Sequence, residues 1–139
     1  MVEKRAARRL VRALDANVIL RFLIGDDAVQ GEQACRLVAT PCFASLTVLL
    51  ETAWVLSSRY GFERAEVAQL LVGFIDLPSV AVEDLEALRW AVGRFEAGAD
   101  FADMVHLVAS RSFEAFATFD RGVARAAGPE SPIPVETIS

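Results

Sequence analysis

Apolar positions along this chain recur with two different periods. In LTVLLETAWVLSSRY (46–60), Leu46, Leu49, Leu50, Ala53, Trp54, Leu56 and Tyr60 follow the three- and four-residue spacing of a helix with a wide apolar face. Ser45 suits its N-cap and Gly61 its end. The helical period returns in NVILRFLIG (17–25) and in DDAVQGEQACRLVAT (26–40), where Asp26 and Asp27 are cap candidates and Val29, Ala34, Leu37 and Val38 are apolar. It returns again in ERAEVAQLLVGFIDL (63–77, closed by Pro78), DLEALRWAVGRFEAG (84–98), GADFADMVHLVASRS (98–112) and RGVARAAG (121–128). Between these lie RALDA (12–16), PCFA (41–44), SVAVE (79–83), EAFATFD (114–120) and IPVETI (133–138), which read as short strands. Strands alternating with helices predict an α/β fold of three layers, α/β/α, with a short-stranded, mainly parallel central sheet.

At 139 residues and 54% hydrophobic, the chain suits one domain with a substantial core. The expected division is a loose basic arm over 1–11 and a single domain over 12–139. No apolar stretch reaches the roughly 18 residues of a membrane span, and the basic start lacks the apolar core of a secretory signal. A cytoplasmic protein without membrane attachment is therefore expected. Cys35 and Cys42 have no metal-type spacing and read as reduced thiols in or near the core.

The net charge of −5 conceals an asymmetry. Lys4, Arg5, Arg8, Arg9 and Arg12 gather at the start, leaving nine basic against 18 acidic side chains after residue 12, a net of −9. So acidic a body is no general glove for nucleic acid. Action on a polyanion would require cations and a few local arginines to offset the repulsion.

The acids, moreover, fall where chemistry is done in parallel sheets, beyond the carboxyl ends of strands. Asp15 ends the first predicted strand and Asp120 the fourth, Asp100 and Asp103 open the helix before that fourth strand, and Glu51 lies about two turns into the helix after the second. Two ionised carboxylates about 5 Å apart repel by about 3 kcal/mol at an effective dielectric of about 20. Mg²⁺ or Mn²⁺, which take hard oxygen ligands, would remove that conflict, activate water and neutralise charge building on a phosphodiester. Each acid also has a plainer role open to it: Asp15 and Asp100 as helix caps, Asp120 as a turn residue. Thr118 and Asp120 point to the same side of a strand, so Thr118 is placed to hold the acid or a water.

LDANVILRFL, SLTVLLETAWVL, YGFER, ADFADMVHLVAS and TFDRGVA, taken in this order and spacing, resemble the PIN-domain family, and within it the VapC-type toxin ribonucleases of toxin–antitoxin pairs. The likeness spans nearly all of 13–127 and implies a PIN-like nuclease domain. By the resemblance, Asp15, Glu51, Asp103 and Asp120 are the catalytic acids; Asp15, Asp103, Asp100 and Asp120 hold the metal, and Asn17 and Thr118 support. Asp100 is an extra acid in a "DFxD" form of the motif. The resemblance further implies Mg²⁺- or Mn²⁺-dependent hydrolysis of RNA, a homodimer and neutralisation by a cognate antitoxin. The basic arm departs from the compact family start.

Other chemistries fit less well. His106 is the only histidine, which excludes a two-histidine ribonuclease within one chain; a packed or hydrogen-bonded role is expected for it. Lys4 is the only lysine, which disfavours P-loop phosphate handling and receiver-type phosphotransfer. An aspartyl-nucleophile phosphatase needs a second Asp where Asn17 stands. A PIN-fold RNA-processing nuclease and a non-catalytic binding module stay open. Arg21, Arg59, Arg121 and Arg125 are candidates for RNA contact. Phe22, Leu23, Trp54 and Tyr60 either line a groove for a protein partner or, as expected of Trp54, pack in the core.

Overall fold

The computed structural model describes residues 11–139, so the basic arm proposed over 1–11 lies, apart from Val11, outside the described residues. Among the described residues five short strands and seven helices follow in order: β1 (Arg12–Ala13), α1 (Ala16–Ile24), α2 (Ala28–Val38), β2 (Cys42–Phe43), α3 (Leu46–Ser58), α4 (Arg64–Ile75), β3 (Val80–Ala81), α5 (Leu85–Glu96), α6 (Phe101–Ala109), β4 (Phe116–Thr118), α7 (Gly122–Ala127) and β5 (Val135–Thr137). Every strand pairing is parallel. β1, β2 and β3 form one sheet in that order, and β4 and β5 another. The α/β class and parallel strands are as the sequence predicts. The strands are shorter than predicted, and they divide between two sheets.

The helix boundaries follow local chemistry. Asp27, Ser45, Asp84 and Asp100 each accept the amide of the residue three further on, satisfying a donor that the helix start leaves free. The Glu63 amide is met by the Glu66 carboxylate at 3.0 Å. Gly25 closes α1 in the left-handed conformation, φ 67°, which a side chain would disfavour.

The core lies between the helices. α3 packs against α1, α4 and α6, and α5 against α4, α6 and α7. α6 is its most enclosed member: Phe101, Met104, Val105, Leu107 and Val108 are all buried. Thr52 is the one buried polar residue described, and its hydroxyl donates to the Val48 carbonyl at 2.8 Å. That local bond removes the cost of its burial.

Several expectations are corrected. Trp54 is 62% exposed instead of packed in the core, and Tyr60 and Val29 are exposed as well. On α3 the buried set is Leu46, Leu49, Thr52, Ala53, Val55 and Leu56. That set turns the helix so that Trp54 and Glu51, three residues apart, share its outer side. Cys42 is buried but Cys35 is exposed on α2. His106 is exposed and makes no side-chain hydrogen bond among the described residues.

Leu107 is completely buried. Leu107→Ala is expected to lower unfolding free energy by about 2–5 kcal/mol, whereas Trp54→Ala should change it by less than about 0.5 kcal/mol. Urea denaturation at neutral pH checks both; an equal loss in the two variants would contradict this assignment of the core.

Candidate active site

Asp15 follows β1 after a single buried residue, Leu14, whose amide donates to the Phe43 carbonyl at 2.8 Å. That bond fixes where the strand ends. Asp15 then occupies the N-cap position of α1 with extended backbone, and its carbonyl accepts from the amides of Val18 and Ile19. Its carboxylate takes no part in the cap. The capping role open to it from sequence is therefore not the one its side chain performs. Asn17 is exposed one position into α1, facing the groove between α1 and α2 together with Arg21 and Gln30. Glu51 is exposed in the second turn of α3.

Asp100 and Asp103 belong to the start of α6. Asp100 is its N-cap: Oδ1 accepts the Asp103 amide at 3.2 Å. Asp103 itself is partly buried. Burial pushes its carboxyl above the usual carboxylate range, and the charges of Asp100 and then Asp120 push it further, while His106 partly offsets them. A single residue thus reports that acids from two elements, the head of α6 and the end of β4, lie within electrostatic reach of one another.

Asp120 is held by a tight local arrangement. Its amide donates to Thr118 Oγ1 at 3.0 Å, and its Oδ1 accepts the Gly122 amide at 2.8 Å. Thr118 therefore grips the backbone of the acid. Gly122, with Arg121 part of the turn signal after Asp120, is close to that acid: a Cβ there would stand 3.2 Å from Asp120 Oδ1. The Asp–x–Gly spacing after a strand was the available signal.

The structure brings Asp100, Asp103 and Asp120 into one electrostatic neighbourhood with His106 beside them. Asp15 and Glu51 do not contribute to the shift at Asp103. Among the described residues no group of three or more His, Cys, Asp or Glu side chains stands close enough to hold a metal ion. In donor chemistry the acids suit a hard divalent cation, being carboxylate oxygens throughout. The strain at Asp103 is of the kind such a charge relieves.

Of the arginines considered for RNA contact, Arg21 is already engaged. It meets Asp26 at 3.1 Å and Gln30 at 2.9 Å, with the Tyr60 hydroxyl at 3.5 Å. Arg59, Arg121 and Arg125 are exposed and have no ion-pair partner among the described residues.

The family model for the PIN domain matches residues 12–129. The chain belongs to the PIN-domain family. The match runs from β1 past the end of α7, so it includes all the acids above. PIN domains are in general metal-dependent nucleases. Comparison with curated proteins and with solved structures gave no match. No helix among the described residues is long and apolar enough to cross a membrane.

The raised carboxyl of Asp103 gives this PIN domain a defined pH dependence. A folded-state value above the unfolded one means that the proton binds the folded protein more tightly. The stability this confers is complete below the unfolded value, about 4, and is lost as pH rises through the higher folded value. Asp103→Asn, which removes the charge and keeps the shape, is expected to be more stable than the parent in metal-free buffer at pH 7. The gain should shrink as pH falls towards about 4. Thermal unfolding of both proteins in a chelator across that range tests this; a gain that is absent or grows in acid would contradict it.

Proposed function

We propose that this PIN domain is a metal-dependent endoribonuclease hydrolysing RNA phosphodiester bonds, and that it is the toxin of a toxin–antitoxin pair, cytoplasmic and homodimeric. The observation that carries the nuclease reading is the match of the PIN-domain family over residues 12–129; the partly buried Asp103, within electrostatic reach of Asp100 and Asp120, supports it. The toxin reading rests on the ordered motifs that resemble VapC-type proteins, and the cognate antitoxin is its implied partner.

In this reading Asp15 and Asp103 hold Mg²⁺ or Mn²⁺, with Asp120 and Asp100 holding it directly or through water. The cation, when bound, supplies charge neutralisation at the phosphate and a more acidic water. Glu51 positions the attacking water or takes its proton. Water adds to phosphorus in line, and the bond from phosphorus to the 3′ oxygen breaks. The products are a 5′-phosphate and a 3′-hydroxyl. Asp100 has one carboxylate oxygen committed to capping α6, which suits it to a secondary place in the set. Thr118 and Gly122 hold Asp120 by its amide and by one carboxylate oxygen, and its other carboxylate oxygen makes no hydrogen bond among the described residues. Asn17 is assigned a supporting place beside Asp15.

Purified protein, free of any partner, is expected to cut a mixed RNA pool in Mn²⁺ and to stop when chelator is added, leaving 5′-phosphate ends. Asp103→Asn should lower the rate at least about 100-fold without loss of fold. Cleavage by Asp103→Asn at the parent rate would remove that residue from the mechanism. Parent protein that leaves RNA intact with Mn²⁺ would favour the non-catalytic module.

A further inference from the structure

Arg64 begins α4, more than thirty residues from Asp100 and Asp103, yet its side chain ends at the turn that launches α6. Nη1 donates to the Phe95 carbonyl and to the Ala99 carbonyl, both at 2.7 Å. The guanidinium also lies 4.7 Å from the centre of the Phe95 ring, a cation–π distance. Phe95 in turn contacts the Phe101 ring, with centroids 5.4 Å apart. Between the two carbonyls the chain turns through Gly98 at φ 120°, a conformation that few other residues adopt. Backbone bonds close the turn: Gly98 N to Phe95 O at 3.0 Å and Ala99 N to Arg94 O at 2.9 Å. The next residue is Asp100, and Asp103 follows one helical turn later.

We infer that Arg64 is a positioning residue of the nuclease site, clamping the end of α5 to the start of α6 so that Asp100 and Asp103 stay aligned for the cation. This rests on the metal-dependent nuclease reading above. The physical need is specific. The acids at the head of α6 and the end of β4 lie within electrostatic reach of one another, and the glycine turn before Asp100 is the point at which their repulsion would be released. A guanidinium bonded to carbonyls on both sides of the turn blocks the release. It also places a positive charge at the carboxyl end of α5, where the helix dipole favours it. Arg64 touches neither acid, so it acts through the backbone.

The test compares the parent with Arg64→Met, which keeps the apolar stem and removes the donors, and with Arg64→Lys. Because a single nitrogen makes both bonds, a lysine ammonium can replace them in part. Amide hydrogen exchange without metal reads the clamp directly: Arg64→Met is expected to speed exchange across 97–103 while leaving α1 and α3 unchanged. Mn²⁺ affinity and kcat on RNA should each fall about tenfold, the loss typical when a group supporting a ligand is removed, with KM changed less than about twofold; Arg64→Lys should fall between. Arg64→Met that folds with parental exchange at 97–103 or parental Mn²⁺ affinity overturns the inference. If Arg64→Met does not fold, Arg64→Gln, too short to reach both carbonyls, decides: parental exchange at 97–103 and parental Mn²⁺ affinity overturn the clamp, and faster exchange with weaker Mn²⁺ binding supports it. Parent protein that neither binds Mn²⁺ nor cuts RNA overturns the nuclease reading itself, a result separate from any change in exchange at the turn.

Discussion

The burial of α6 is the constraint on which the site depends. Five of its nine residues are inside the protein, packed by α3 and α5. A short helix held so firmly cannot rotate to carry its acids into solvent without exposing Phe101, Met104 and Leu107. Hydrophobic burial therefore fixes the position of Asp103, and electrostatics must be tolerated where packing has put it. The resulting conflict is visible in the raised carboxyl of Asp103. Stability spent in this way at a single rim is common where a charge is meant to arrive from outside.

The two sides of that rim are built differently. At the β4 end the acid is fixed by short-range bonds: Thr118, Asp120 and Gly122 span five residues and need nothing distant. At the α6 end the geometry depends on long-range contacts, since the turn before Asp100 is tied down from α4. A second arginine joins the two sides: Arg94 on α5 donates to the Ala126 carbonyl at the end of α7, 2.7 Å away, and α7 is the helix that leaves Asp120. Both arginines neutralise carbonyl-rich helix ends and leave the carboxylates without a counter-charge. Acids held apart from any arginine remain available to a metal.

Much of this was legible in the sequence, because the informative signals were local. Ser45, Asp27, Asp84 and Asp100 announce helix starts through chemistry that acts within four residues, and Gly25 marks an end in the same way. The order of helices and strands followed from period alone. What periodicity cannot give is which side of a broad apolar stripe finds a neighbour. On α3 the stripe includes Trp54, but Thr52, satisfied by its own helix, takes the inner position and turns the Trp outward. Cys35 and His106 depart from expectation for a similar reason: both residue types are often buried, and only the packing of α2 and α6 decides that these are not. Arg64 falls within the YGFER stretch of the family resemblance, but nothing there says what it binds. Its partners lie more than thirty residues away, beyond any pattern that a single sequence displays.

The remaining arginines say how a polyanion would be held on the proposed reading. Of the nine in the body of the chain, Arg21, Arg36, Arg89 and Arg111 are in ion pairs with acids of their own surface. Arg64 and Arg94 are bonded to backbone carbonyls. Arg59, Arg121 and Arg125 are left, Arg121 directly after Asp120 in the chain and Arg125 within the short helix that follows. With Arg12, which also has no ion-pair partner among the described residues, four such cations can neutralise only a few phosphates, and affinity from counterion release scales with that number. Tight, indiscriminate binding along a strand is therefore not what the described residues offer by themselves. An enzyme so built would hold its substrate over a short length, close to the acids, with the metal charge supplying part of the attraction that arginines supply elsewhere.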